Sequence, residues 1–91
     1  MPDTQVQFKL EAARYTIIGH LEKVNPLKYR FYFTLILGGK AVSNYAQDIP
    51  PEIRNQIIGK VIELICQNTS TVSKYWTGRV TTGLVVVEAN N

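Results

Sequence analysis

Apolar and polar positions alternate along the first part of this chain. Residues 5–10, 15–24 and 29–37 each place apolar side chains mostly at every second position, which is the period of a β-strand. Pro26 lies between the second and third segments and marks a turn, because proline cannot donate to a strand ladder. Residues 11–14 favour a helix locally, so the first segment is alternatively part helical. Strands joined by short turns pair antiparallel, and these segments therefore predict an antiparallel sheet.

Glycines divide the remaining strand-like sequence. Gly38 and Gly39 predict a tight hairpin, because glycine accepts the positive φ that such turns require. Residues 40–47 are expected to return as a weaker strand. The last strand is predicted over residues 80–88, with Gly83 as a bulge or a point of close approach.

Residues 51–67 change to the spacing of a helix. Pro51 suits the first helical turn, and the acidic residues Asp48 and Glu52 suit the positive end of the helix dipole. Gly59 costs this helix about 1 kcal/mol relative to alanine, and it either admits another backbone or has no packing role. The apolar stripe comprises Ile53, Ile57, Ile58, Val61, Ile62, Leu64 and Ile65.

The predicted order of elements is ββββαβ over a single domain of residues 1–91. The fold class is α+β: an antiparallel sheet of four to five strands, with one long helix packed on one face. The run of apolar residues 84–87 places the last strand in the middle of the sheet, since central strands are buried on both faces.

One helix leaves one face of such a sheet uncovered. Residues 31–37 and 84–87 are apolar on both sides, so the second face also needs a cover. That cover is either residues 1–14 or another protein chain. The residues expected on this face are Ile18, Tyr32, Ile36, Val85 and Val87.

Composition narrows the class of protein. The chain is 45% hydrophobic and 19% charged, which is typical of folded domains. Its net charge of +3 permits an acidic partner, but there is no run of lysine or arginine that demands one. No stretch approaches the roughly 18 apolar residues of a membrane span, and Met1 is not followed by a signal-peptide pattern. We expect a cytoplasmic protein that does not enter membranes.

The sequence contains little that indicates catalysis. His20 is the only histidine, and with Glu22 it lacks the further ligands that a metal site needs. Cys66 lies near the negative end of the predicted helix, where a thiolate is disfavoured, so we expect an ordinary buried or half-buried thiol. No phosphate-binding or nucleophile motif occurs. We therefore predict no catalytic, cofactor-binding or metal-binding residue, and a protein that is not an enzyme.

Two binding functions remain. The first is a small interaction or regulatory module that associates through the apolar sheet face, either with itself as a homo-oligomer or with another protein. The alternative is a domain that binds RNA or single-stranded nucleic acid, because basic and aromatic residues interleave over 28–32 and in an irregular segment at 74–79. Its candidate contacts are Arg30, Tyr32, Lys74, Tyr75, Trp76 and Arg79. Whether Tyr75 and Trp76 are core or exposed stays open in the sequence.

Overall fold

The computed structural model describes residues 4–10, 14–69, 73 and 75–90. Within them the chain forms six strands, a short 3₁₀-helix and one α-helix. The elements are β1 (Thr4–Leu10), β2 (Tyr15–Asn25), β3 (Lys28–Leu37), β4 (Lys40–Val42), the 3₁₀-helix (Ala46–Asp48), α1 (Pro51–Asn68), β5 (Tyr75–Thr81) and β6 (Leu84–Asn90).

The strands form one sheet in the order β1-β2-β3-β6-β5, in which every neighbouring pair is antiparallel. The short strand β4 pairs only with the end of β3. The α+β class, with one helix packed against an antiparallel sheet, is confirmed. The last strand lies inside the sheet, between β3 and β5, as its apolar run predicts.

The end of the chain differs from the prediction. The segment expected as one strand over 80–88 is a hairpin of two strands, and the segment expected to be irregular, 74–79, belongs mainly to β5. Gly83 explains the difference, because its φ of 65° closes a tight turn between β5 and β6 rather than bending one continuous strand. Lys74 lies outside the described residues.

The predicted strand over 40–47 is also shorter than expected. Only Lys40–Val42 is extended, because β6 occupies the rest of this edge of β3. Asn44 connects the chain after β4 to β3 and to the turn before β6. Its side-chain Nδ2 donates to the Phe33 carbonyl at 3.2 Å, and its backbone carbonyl accepts from the Gly83 N–H at 3.2 Å. The Phe33 N–H in turn donates to the Gly83 carbonyl at 3.0 Å.

The core lies between α1 and one side of the sheet. The helix buries part of the predicted apolar stripe, namely the residues at every fourth position: Ile53, Ile57, Val61 and Ile65. On β3 the buried residues are Tyr29, Phe31, Phe33 and Leu35. Since side chains alternate along a strand, the residues between them point to the other side of the sheet.

Two glycines differ sharply in their surroundings. A Cβ at Gly59, in the middle of α1, would meet nothing within 4 Å, so no backbone approaches the helix there. A Cβ at Gly78 on β5 would collide with Cγ2 of Ile58 and would lie 3.3 Å from Cγ1 of Val87. The missing side chain at Gly78 therefore allows α1 to pack closely on β5.

Candidate functional site: the open face of the sheet

The side of the sheet opposite α1 is the candidate site, and we call it the open face. Its position follows from β3, whose buried residues contact the helix and whose intervening residues point away from it. The strand register then assigns the neighbours. Tyr32 lies opposite His20 on β2 and Leu84 on β6, and Arg30 lies opposite Glu22 and Val86.

Aliphatic side chains lie on the open face together with the exposed Thr34, which separates Tyr32 from Ile36 on β3. The aliphatic side chains lie on three neighbouring strands and are partly buried, and no other element of the described part of the chain packs over them. Tyr32 lies among them and stacks on His20, with 5.1 Å between ring centroids and 23° between ring planes. We call the four aliphatic side chains together with Tyr32 the aliphatic patch: Ile18, Tyr32, Ile36, Leu84 and Val86.

The prediction of Val85 and Val87 on this face is wrong. Both are fully buried on the helix side, where Val87 pairs with Tyr29 and Val85 with Phe31. An apolar run has no alternation of its own from which to read its orientation. Glu88 indicates the correct orientation, because a charged residue at a strand end belongs on the solvated face. Since side chains alternate along a strand, Val86 and Leu84 lie on the same face as Glu88.

One end of the open face is charged. Arg30 and Glu22 form an ion pair at 3.5 Å, and Lys28 lies in register with Glu88. Arg79, on the edge strand β5, lies opposite Val86 and has an exposed side chain. We call Lys28, Arg30 and Arg79 the basic corner.

A shallow depression of about 290 Å³ lies at the basic corner. Its lining includes Lys28 and Arg79, with Val86 between them and Glu88 as the one acidic residue.

The candidate nucleic-acid residues divide between the two sides of the sheet. Tyr75 and Arg79 alternate with Trp76 along β5, and they share the open face with Arg30 and Tyr32. Tyr75 is exposed over 60% of its surface. Trp76 instead points to the helix side and packs, partly buried, against the core. The structure therefore brings four of the six candidates together, excludes Trp76 and does not describe Lys74.

The N-terminal segment does not cover the open face in its described part. Residues Thr4–Leu10 pair with β2 and so extend the sheet sideways. The remainder of the predicted cover, residues 1–3 and 11–13, lies outside the described residues.

Other chemistry is sparse. Among the described residues there is no cluster of three or more histidine, cysteine or acidic side chains that could hold a metal ion. Cys66 is exposed, not buried or half-buried as expected, because it lies on the outer side of α1 next to the buried Ile65. No helix in the described part of the chain is long and apolar enough to cross a membrane.

Comparisons with protein-family models, with curated proteins and with solved structures gave no match to this chain. The arrangement of side chains on the open face is therefore the basis for a functional assignment.

Proposed function

We propose that this protein is a non-enzymatic interaction module that associates with a second copy of itself through the open face. The observation that carries the proposal is the aliphatic patch, which lies on a sheet face that α1 does not reach and is bordered at one end by charged residues. Apolar side chains grouped on a face and bordered by polar ones are typical of a protein–protein interface.

The size of the face supports a dimer. Five strands spaced about 4.8 Å apart, each about seven residues long, present a flat area of roughly 550 Å². Side-chain relief raises the accessible area above that value, toward the roughly 800 Å² that each partner contributes to a stable interface. Two such faces packed together would bury on the order of 1,100 Å² in total, above the roughly 1,000 Å² expected of a specific interface.

The charges of the face support self-association in particular. Both signs are present, with Glu22 beside Arg30 and Glu88 beside Lys28. In a twofold dimer the same surface meets itself, so a face that carries only one sign would repel its copy. The charged rows lie at the opposite end of the face from Ile36, so they border the aliphatic patch on one side.

Sedimentation velocity over a range of protein concentrations tests this proposal. The wild-type protein should approach twice the monomer mass of 10.3 kDa as concentration rises. Ile36→Glu should raise the dissociation constant about 100-fold or more, because it leaves a carboxylate inside an apolar interface. Leu27→Glu is the matched control: this leucine is 42% exposed, in the turn between β2 and β3.

A wild-type protein that stays monomeric at every concentration would rule out self-association. A dimer that Ile36→Glu leaves intact, or that Leu27→Glu disrupts equally, would place the interface elsewhere. Circular dichroism of each variant separates a lost interface from a lost fold.

A further inference from the structure

Positive side chains converge on the basic corner and continue around the edge of β5. Arg30 and Arg79 lie in the same row across β3, β6 and β5, which places their Cα atoms about 10 Å apart. Beyond the edge, Arg54 of α1 lines a second depression, of about 210 Å³, together with Arg79. No carboxylate lines that second depression among the described residues.

Arg79 is common to both depressions. The first opens on the open face next to Lys28, and the second lies on the helix side of β5 next to Arg54. An extended polyanion that crosses the β5 edge at Arg79 therefore meets arginine or lysine on either side. Glu22 pairs with Arg30, and Glu88 lies opposite Lys28, so the positive potential is strongest at the edge itself, around Arg79 and Arg54.

An aromatic side chain accompanies this row of charge. Tyr75 lies on β5, on the same side as Arg79 and four residues before it, about 13 Å away along the strand. The residue is exposed over 60% of its surface. A ring so placed offers a stacking surface to a planar ligand group, while the arginine takes its charge.

We propose that Arg79, with Lys28 and Arg54 on either side of it and Tyr75 on the same strand, binds single-stranded nucleic acid at the edge of β5. Arg79, Arg54 and Lys28 contact the phosphates, and Tyr75 stacks on an unpaired base. A duplex fits poorly, since the corner is a flat edge without a helix or ribbon to enter a groove, and paired bases cannot stack on tyrosine. The site is formed by a single copy of the chain, so it does not need the proposed dimer.

Fluorescence anisotropy with labelled oligo(U) and oligo(dT) of about twelve nucleotides measures this binding. Each phosphate neutralised contributes about −0.7 to the slope of log K against log salt, so three give a slope of about −2. The affinity should then fall about 18-fold between 50 and 200 mM salt. Comparing oligo(U) with oligo(dT) shows whether the 2′-hydroxyl contributes.

Three variants locate the site. Arg79→Gln should weaken binding about 5-fold or more and make the salt slope less negative by about 0.7. Tyr75→Ala should weaken binding about 5-fold or more and leave the slope unchanged, because it removes stacking and no charge. Lys60→Gln is the control, since this lysine on α1 is 44% exposed, pairs with Glu63 and loses the same charge away from the corner.

No binding at low salt would overturn the proposal. So would a duplex that binds as tightly as the single strand, or a Lys60→Gln variant that weakens binding as much as Arg79→Gln does. Ile36→Glu should not weaken the binding of nucleic acid, so the failure of the dimer and the failure of this site give different results.

Discussion

The close packing of α1 on β5 gives a sharp test of the structure at Gly78. An alanine there places its Cβ against Cγ2 of Ile58, with Val87 Cγ1 at 3.3 Å on the other side. Ile58 cannot easily move aside, because a β-branched side chain in a helix has one strongly preferred χ1 rotamer. The helix must therefore shift away from the strand.

The magnitude follows from two opposing terms. Overpacking of this kind costs about 1–3 kcal/mol, whereas replacing a strand glycine lowers the entropy of the unfolded chain and returns about 0.5–1 kcal/mol. Since the added Cβ collides with Ile58 Cγ2, the overpacking cost lies in the upper part of its range, about 2–3 kcal/mol, and Gly78→Ala should lower the free energy of unfolding by about 1–2.5 kcal/mol. Urea denaturation followed by the fluorescence of Trp76, the single tryptophan, measures it.

Gly59→Ala is the contrasting control. Its Cβ meets nothing within 4 Å on an exposed part of α1, so the variant should stabilise the protein by about 0.5–1 kcal/mol. Ile58→Ala combined with Gly78→Ala should remove most of the cost of the second change, because the colliding atom is gone. A Gly78→Ala variant as stable as wild type would refute the close packing.

Two further predictions concern Asn44 and Cys66. Asn44→Ala should lower the free energy of unfolding by about 1–2 kcal/mol in the same urea assay, because the part-buried Phe33 carbonyl loses its donor. Asn90→Ala is the control. It removes only exposed hydrogen bonds and should change the free energy of unfolding by less than about 0.5 kcal/mol. If the two variants lowered the free energy of unfolding equally, the result would contradict the hydrogen bond from Asn44 to Phe33 between β4 and β6. Cys66 should react fully with a thiol reagent in the native protein, and Cys66→Ser should leave stability within about 0.5 kcal/mol; protection of the thiol until denaturation would contradict its exposure.

Much of the fold follows from local pattern. The alternation in β2 and β3 and the helical stripe of α1 each specify which side chains are buried, because one face of each element is polar. Pattern fails where that contrast is missing. The run at 84–87 is apolar on both sides, and only its charged neighbour Glu88 reveals its orientation.

The sequence does not predict the hairpin of β5 and β6, for a different reason. Gly83 in a strand-like run is compatible with a bulge or a turn, and only the pairing of both strands decides between them. The same pairing orients β5, where Val80 faces the core and Arg79 faces outward. The grouping of Arg79 and Tyr75 with Arg30 is thus a consequence of strand order, which local sequence does not specify.

The central claim is that the open face contacts a second copy of the chain. An isotope-filtered NMR experiment on a mixture of labelled and unlabelled protein detects only contacts between copies, and it identifies the methyl groups involved. We expect intermolecular signals from the methyl groups of Ile18, Ile36 and Val86 on the open face, and none from Ile62 on α1. Signals from Ile62 alone, or none at all at concentrations where the dimer should form, would contradict the account.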